Sequence, residues 1–343
     1  MSPDAGPSAP ARSPVTRAGG TPAPAGRSQG RLPDFFVVGQ PKSGTTALYE
    51  MLRRHPRIFM PENKEPWFFA AELQERTPPR PQGTPRTLEE YLAIFAPAAP
   101  DQIVGEATPL YLWSQTAAIR IAEVRPDARI IAILREPASL LHSLHLQWVK
   151  SYVETETDFR TALSLEPARR EGRDVPRYTY WPRALRYSEH VRYVEQLRRY
   201  EALFPAEQMQ VLIYDDFRAD NEGSLRRVLG FLGVDDGSPI ATMEANPTVG
   251  VRSQRLHHLL HAVSVGRGPF SRAVKASVKA VTPRTLRRDA LFATQRRLVY
   301  TAPSPPEGEL MVELRRRFKG EVEALSEHLG RDLITLWGYD RLE

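Results

Sequence analysis

The chain has 343 residues, a hydrophobic content of 41% and a formal net charge of +6, which suits a globular protein with one large or two ordinary domains. It contains no cysteine, so disulfides, thiolate zinc sites and cysteine nucleophiles are excluded. No apolar run reaches the roughly 18 residues of a membrane-spanning helix, and the first residues lack the apolar core of a secretion signal. These features predict a cytoplasmic location.

Residues 1–33 contain seven prolines and five glycines. Such a segment buries too little apolar surface to offset the entropy of ordering it, so we expect a disordered tail. A second proline-rich stretch, residues 76–86, predicts an exposed loop. We interpret residues 34–343 as one domain.

Short apolar runs and helical patterns alternate through the first two thirds of that domain. The runs predict buried strands at 34–39, 103–107, 129–136 and 209–216. Helical patterns are found at 45–54, 115–125, 138–150, 187–203 and 221–232. This alternation predicts an α/β fold of three layers, with a central parallel sheet and helices on both faces.

The C-terminal third has a different character. Residues 252–297 carry eleven Lys or Arg and one acid, Asp289, on segments with helical spacing. We interpret this basic segment as a helical lid or as part of the acceptor side. Residues 307–337 form a long amphipathic pattern that predicts a helical C-terminal cap.

The first predicted strand leads into the loop "GQPKSGTT" and then into a helix. The amides and hydroxyls at the start of a helix bind anions, so residues Ser43, Gly44, Thr45 and Thr46 predict a phosphate site. A nucleotide-hydrolysing loop of pattern GxxxxGK[ST] has its lysine where this chain has Thr45. Lys42 lies three positions earlier, which argues against NTP hydrolysis.

The stretch Pro41–Thr46 resembles the 5′-phosphosulfate loop of the sulfotransferase family, P-K-[ST]-G-T-[ST]. The resemblance, to bacterial members similar to the heparan sulfate-type domain, extends over about residues 34–343. It implies that the loop binds the 5′ end of 3′-phosphoadenosine 5′-phosphosulfate (PAPS). It also implies that Lys42 neutralises the oxygen from which the sulfuryl group departs, which would stabilise the transition state more than the ground state.

A second motif corresponds to the site that the family uses for the 3′-phosphate. Arg135 ends a predicted strand, where α/β proteins place ligand-binding groups, and Ser143 follows eight residues later. The resemblance implies that both bind the 3′-phosphate, although Glu136 replaces the usual Asp or Asn. Arg252, with Ser253, is a candidate for a third contact.

Transfer to a hydroxyl or an amine requires a base. The stretch "NKEPWFF" resembles the K-E-x-x-[FY]-F segment of the family, in which the glutamate is the proposed base, and this implies Glu65. The family frequently has histidine where this chain has Trp67, which could add an aromatic wall to the acceptor pocket. Glu106, which could instead orient Lys42 or the acceptor, and the histidines His142 and His145 remain alternatives for the base.

We therefore predict a PAPS-dependent sulfotransferase that needs no metal. Two histidines in "HHLLH" lie one helical turn apart, but no third ligand for zinc is evident. The acceptor is left open among small molecules, glycans and lipids, and its pocket is expected from loops near 63–86, 150–185 and 252–300. No nucleic-acid partner is expected. The alternatives are a nucleotide-dependent kinase, or a membrane-surface module that uses residues 252–297 for peripheral contact.

Overall fold

The computed structural model describes residues 31–73, 84–176, 179, 181–234, 237, 250–251, 300–301 and 305–342. Its central sheet has five strands, all parallel, in the order β2-β3-β1-β4-β5. These strands are β1 Phe35–Gly39, β2 Ile58–Phe59, β3 Ile103–Ala107, β4 Arg129–Leu134 and β5 Met209–Ile213. A short antiparallel pair joins β6 Gly250–Val251 to β7 Tyr300–Thr301.

The described residues form eleven α-helices between and after these strands. In chain order they are α1 Thr45–Arg53, α2 Leu88–Ala93, α3 Ala117–Val124, α4 Pro137–Lys150, α5 Phe159–Ser164, α6 Glu166–Arg170, α7 Tyr193–Glu201, α8 Tyr214–Ala219, α9 Asn221–Leu232, α10 Gly308–Leu329 and α11 Leu333–Trp337. Helix α10 packs against α4 and α7. The α/β class with a parallel sheet and a C-terminal helix is therefore confirmed.

Successive residues of a strand point to opposite faces of the sheet, and both faces here are covered. Phe36 and Val38 of β1 belong to one apolar cluster, with side chains from α4, α7 and α10. Phe35 and Val37 belong to a second cluster, with side chains from α1 and α9. A strand covered on both faces is continuously apolar, which explains why "FFVV" shows no alternation.

The structure differs from the sequence-based elements in a few places. The predicted strand 209–216 ends at Ile213, because Tyr214 begins α8. The predicted helix 187–203 is interrupted at Arg192, whose φ of −77° and ψ of 64° lie outside the helical region. A 3₁₀ turn, Tyr187–Val191, precedes that break, and α7 follows it. Strand β2, of two residues, was not predicted.

Parts of the predicted organisation lie outside the described residues. They include the tail up to residue 30, most of the proline-rich loop 76–86 and the whole basic segment 252–297. Within the described part of the chain, none of the helices has both the length and the apolar character needed to cross a bilayer.

Candidate functional site

The strand order reverses its direction at the centre of the sheet, between β1 and β4. The chain leaves β1 towards β3 and β2 on one side, and it later continues through β4 and β5 on the other. Parallel sheets bind ligands at the carboxyl ends of their strands beside such a reversal. The loops that follow β1 and β4 are therefore placed to form a site.

The loop after β1 leaves the start of α1 open. Gly44 precedes α1 with a φ of 86°, and no side chain caps this helix end. A Cβ at Gly44 would lie 3.1 Å from the ring of Phe217, so both the backbone conformation and the neighbouring ring favour glycine. The first-turn amides, which have no partner within a helix, are left for an anion.

The hydroxyl of Ser43 is available for a ligand, whereas its amide is already bonded within the loop. The amide donates to the carbonyl of Gln40 at 3.3 Å. The side chain is completely buried, and its Oγ has no hydrogen-bond partner among the residues that the structure describes. A buried polar atom without a partner is costly in a protein, so this hydroxyl fits a bound phosphate or sulfate oxygen.

Lys42 lies in the middle of the loop, with a φ of 62°. Burial is the largest cause that lowers the pKa of its ammonium group, and together with the nearby charges of Lys150, Arg135 and Lys64 it brings this pKa to about 8. Only Glu65 acts in the opposite direction among the causes of this shift. Because several cations repel one another here, an anion bound at the loop would relieve the repulsion.

Lys64 connects the loop to the segment after β2. Its Nζ donates to Oε1 of Glu65 at 2.7 Å and to Oγ1 of Thr46 at 3.3 Å. The side chains of Lys64 and Glu65 are 16% and 33% exposed, so both are partly open to solvent. Lys64 thereby fixes the distance between the carboxylate and the first turn of α1.

A cavity of about 310 Å³ contains the reactive groups predicted for transfer. Its lining includes Lys42, Thr45 and Thr46 from the phosphate loop and Glu65 from the segment after β2. The remaining lining residues are Pro41, Trp67, Pro109, Leu110, Gln147, Trp148, Ser151 and Trp181. A cation, an uncapped helix end and a carboxylate therefore line one cavity.

Arg135 follows β4 and is held beside the phosphate loop. Its Nη1 donates to the carbonyl oxygen of Lys42 at 2.8 Å. Its guanidinium lies 4.8 Å from the centre of the Tyr214 ring, and its own carbonyl accepts from the hydroxyl of Tyr193 at 2.7 Å. Arg135 does not line the 310 Å³ cavity, which separates it from the place of transfer.

Glu136 has a structural part in this arrangement. Its carboxylate accepts from the amides of Ala138 and Ser139 at the start of α4 and from the hydroxyl of Tyr339 at 2.7 Å. The side chain is only 5% exposed. Glu136 thus caps α4 and connects it to the C-terminal segment, beside the strand end that carries Arg135.

The model of the sulfotransferase family matches residues 33–237, which are 205 of the 343 residues. The chain belongs to the sulfotransferase family. Mouse heparan sulfate glucosamine 3-O-sulfotransferase 6 is 30% identical over 230 residues, covering 66% of this chain and 60% of that protein. The membrane-associated sulfotransferase kil1 of Dictyostelium discoideum is 32% identical over 122 residues, covering 35% of this chain and 24% of that protein.

This sulfotransferase chain therefore spans less than two thirds of the length of those two curated relatives. Among solved structures, the crystal structure of a sulfotransferase from Alicyclobacillus acidocaldarius superposes with a TM-score of 0.62 at 25% identity. That alignment covers 89% of this chain and 98% of the other. The predicted family and fold are confirmed.

The structure brings most of the predicted sulfotransferase residues to one edge of the sheet. The loop residues, Glu65 and Arg135 converge there, as described above. Ser143 is buried on α4 with 3% exposure and, like Arg135, lies outside the lining of the cavity. Arg252, Ser253 and the histidines of 257–261 lie outside the described residues.

The alternative bases are less accessible than Glu65. Glu106 is fully buried and accepts from the hydroxyls of Tyr91 and Thr108. Burial raises its pKa to about 7, against the effect of these hydroxyl donors. His145 uses one ring nitrogen with the hydroxyl of Tyr187 and the other with the carbonyl of Thr157, each at 3.0 Å.

His142 is also placed away from the reactive groups of the cavity. Burial lowers its pKa to about 4, with smaller contributions from His145 and Arg135. Its ring packs on Phe159, with 5.6 Å between ring centres. Neither His142 nor Glu106 lines the cavity that contains Lys42.

Sequence reasoning did not identify two tryptophans and two polar residues of the cavity. Gln147, Trp148 and Ser151 come from the end of α4, and Trp181 comes from a later segment. The segments near 63–86 and 150–185 were predicted to form the acceptor pocket, and they supply Trp67, Ser151 and Trp181. The helical repeat of α4 gave no sign that its last turn faces the site.

Proposed function

We propose that the protein is a PAPS-dependent sulfotransferase that transfers a sulfuryl group to a hydroxyl or amine of a small-molecule, glycan or lipid acceptor. The observation that carries the proposal is the single cavity shared by Lys42, the open end of α1 and Glu65. The membership of the chain in the sulfotransferase family supports it. PAPS would supply the activated sulfuryl group.

The donor would be bound at two places. The amides of the first turn of α1 and the hydroxyl of Ser43 suit the 5′-phosphosulfate, since they offer hydrogen-bond donors that have no partner within the described protein. Arg135 suits the 3′-phosphate together with Ser143, since it lies beside the loop but outside the transfer cavity. Its planar guanidinium is well matched to phosphate oxygens.

Transfer would require one proton to move, one bond to sulfur to form and one bond to sulfur to break. The acceptor oxygen forms a bond to sulfur as the bond between sulfur and the 5′-phosphate oxygen breaks, and the electron pair stays on that phosphate oxygen. Lys42, when protonated, stabilises this developing charge. Glu65 takes the proton of the acceptor, and Lys64 holds that carboxylate in place through an ion pair of 2.7 Å.

The decisive experiment follows transfer from radiolabelled PAPS to a mixed panel of acceptors. Lys42→Ala should abolish transfer, while Lys319→Ala serves as a matched control because Lys319 is exposed on α10 and pairs only loosely with Glu323 at 3.9 Å. Circular dichroism reports whether each variant is folded, and binding of the product nucleotide, 3′-phosphoadenosine 5′-phosphate (PAP), reports whether the wild-type donor site is formed. Full activity in Lys42→Ala, or a wild-type protein that does not bind PAP, would contradict the proposal.

A further inference from the structure

The cavity has two chemically different sides. Lys42, Thr45, Thr46 and Glu65 form a polar side, at which the donor and the base act. Apart from Gln147 and Ser151, the other lining residues are apolar or aromatic and form what we call the apolar side: Pro41, Trp67, Pro109, Leu110, Trp148 and Trp181. Because the polar side is occupied by donor and base, the acceptor has to rest against the apolar side.

Three indole rings form a continuous wall on that apolar side. Trp67 and Trp181 meet edge to face, with 4.8 Å between ring centres and an interplanar angle of 77°. Trp148 and Trp181 meet in the same way at 5.8 Å and 75°. Trp148 is fixed further, because its Nε1 donates to the carbonyl of Ala184 at 3.2 Å. We call these three residues the tryptophan wall.

Trp67 is the member of the tryptophan wall nearest in sequence to the base. Trp67 and Glu65, two residues apart, both have left-handed backbones, with φ values of 53° and 63°. The Nε1 of Trp67 is buried and has no hydrogen-bond partner among the described residues. This indole therefore offers a ring and an unused donor beside the carboxylate that would take the acceptor proton.

We propose that Trp67 determines acceptor specificity, and that the acceptor is a hydroxyl group on a flat apolar ring, that is, a phenol. This inference rests on the proposed function. A flat ring packs on indole over its whole face, and its hydroxyl at the ring edge is then directed to the polar side. The unused Nε1 donor of Trp67 suits an oxygen substituent of the same ring.

The polar groups of the lining support a phenol over a sugar. Once Lys42, Thr45, Thr46 and Glu65 are assigned to the donor and the base, the described lining retains only Gln147 and Ser151 as polar residues. A sugar brings several hydroxyls into the cavity, and each hydroxyl without a partner reduces affinity. A phenol brings one hydroxyl, which donates its hydrogen bond to the carboxylate of Glu65.

The test measures acceptor binding separately from turnover. Titration calorimetry of the PAP-saturated protein would compare 2-naphthol with cyclohexanol and with a heparan-type oligosaccharide. We expect the wild type to bind 2-naphthol at least about tenfold more tightly than either alternative. Tighter binding of the oligosaccharide or of cyclohexanol would overturn the phenol assignment.

Variants of Trp67 test the residue itself. Trp67→Leu should weaken 2-naphthol binding by about tenfold or more and raise its KM, while the KM for PAPS stays unchanged. Trp67→Phe, which keeps an aromatic face, should recover most of the affinity. Trp337→Phe is a matched control, because Trp337 lies on α11, outside the cavity, with its Nε1 bonded to Asp215 at 2.9 Å. Unchanged 2-naphthol affinity in both Trp67 variants would overturn the role of Trp67.

Failure of this inference is distinguishable from failure of the proposed function. If only the acceptor assignment fails, the protein still binds PAP and still transfers sulfuryl groups, in a manner that depends on Lys42, to another class of acceptor. If the proposed function fails, PAP does not bind and no acceptor in the panel is sulfated.

Discussion

The guanidinium of Arg135 donates a hydrogen bond of 2.8 Å to the backbone carbonyl of Lys42. This bond joins the end of β4 to the middle of the phosphate loop. The same guanidinium is supported by the ring of Tyr214 at 4.8 Å. The residue proposed for the 3′-phosphate therefore also helps to hold the residue proposed for sulfuryl transfer, so that the two proposed phosphate sites are joined by one hydrogen bond.

Replacement of Arg135 should therefore affect donor binding. Arg135→Lys is expected to weaken PAP binding by about tenfold or more. The planar guanidinium of arginine can donate to the loop carbonyl and to a phosphate at the same time, whereas the compact ammonium group of lysine cannot match this geometry. Calorimetric titration with PAP measures this change. Arg129 is a matched control, since at the other end of β4 it donates to Leu232 at 2.7 Å and lies over Phe231. Arg129→Lys should leave PAP affinity unchanged, and equal losses in both variants would contradict a specific role for Arg135.

The protonation of Lys42 should govern activity at alkaline pH. The pKa of Lys42 in the free protein is lowered to about 8, first by burial and then by the charge of Lys150. Because the protonated form stabilises the leaving phosphate, kcat/KM for PAPS should fall as pH rises through about 8. The pH profile of kcat should fall at a higher pH than that of kcat/KM, since the bound anion raises the pKa of Lys42.

Substitutions of the neighbouring charges should move this fall in activity in opposite directions. Lys150→Gln removes a repelling charge and so raises the pKa of Lys42. The descending part of the pH profile of kcat/KM should therefore move to higher pH. Glu65→Gln removes an attracting charge and so lowers the pKa of Lys42. The residual activity should therefore begin to fall at a lower pH than in the wild type. A fall in activity that stays at the same pH in both variants would assign the titration to another group.

The choice between the two candidate carboxylates can be made by kinetics. Glu65→Gln should reduce kcat by about 10²–10⁴-fold while PAP still binds, because the proton acceptor is lost. Glu106→Gln should cost less than about tenfold, since Glu106 is fully buried and lies outside the cavity. The reverse order of effects would transfer the role of base to Glu106.

Glu106 should instead influence stability as a function of pH. Burial raises its folded-state pKa to about 7, above the ordinary value of 4.5. Its contribution to stability is therefore fully present below pH 4.5 and is lost as pH rises through about 7. Glu106→Gln stays neutral and should flatten this part of the stability profile. Urea denaturation at several pH values measures it, and an unaltered profile in the variant would mean that folding does not shift the pKa of Glu106.

The turn between β1 and α1 was predictable because its sequence signal is local. Gly44 and the residues on either side of it are consecutive, so one short stretch of sequence defines both the turn and the proposed anion site. The strands beside it were predictable because double burial makes them continuously apolar, as at Phe35–Gly39. Strand β2 was missed because two residues carry no periodicity.

The acceptor side was only partly predictable, because its members are distant in the sequence. Trp67, Trp148 and Trp181 meet only after α4 has packed and the segment after α6 has returned to the sheet edge. The prediction of one helix at 187–203 failed for a related reason. Tertiary packing buries Tyr187 and His190 in a turn that helical periodicity does not distinguish from a helix.

The backbone strain at the cavity also has an evolutionary consequence. Lys42, Glu65 and Trp67 all have left-handed backbones, a conformation that costs a residue other than glycine about 1–2 kcal/mol. Glycine at position 42 would remove both that strain and a buried cation, so Lys42→Gly should withstand more denaturant than Lys42→Ala. A library of variants screened for heat resistance alone would therefore enrich chains that have lost the groups needed for chemistry.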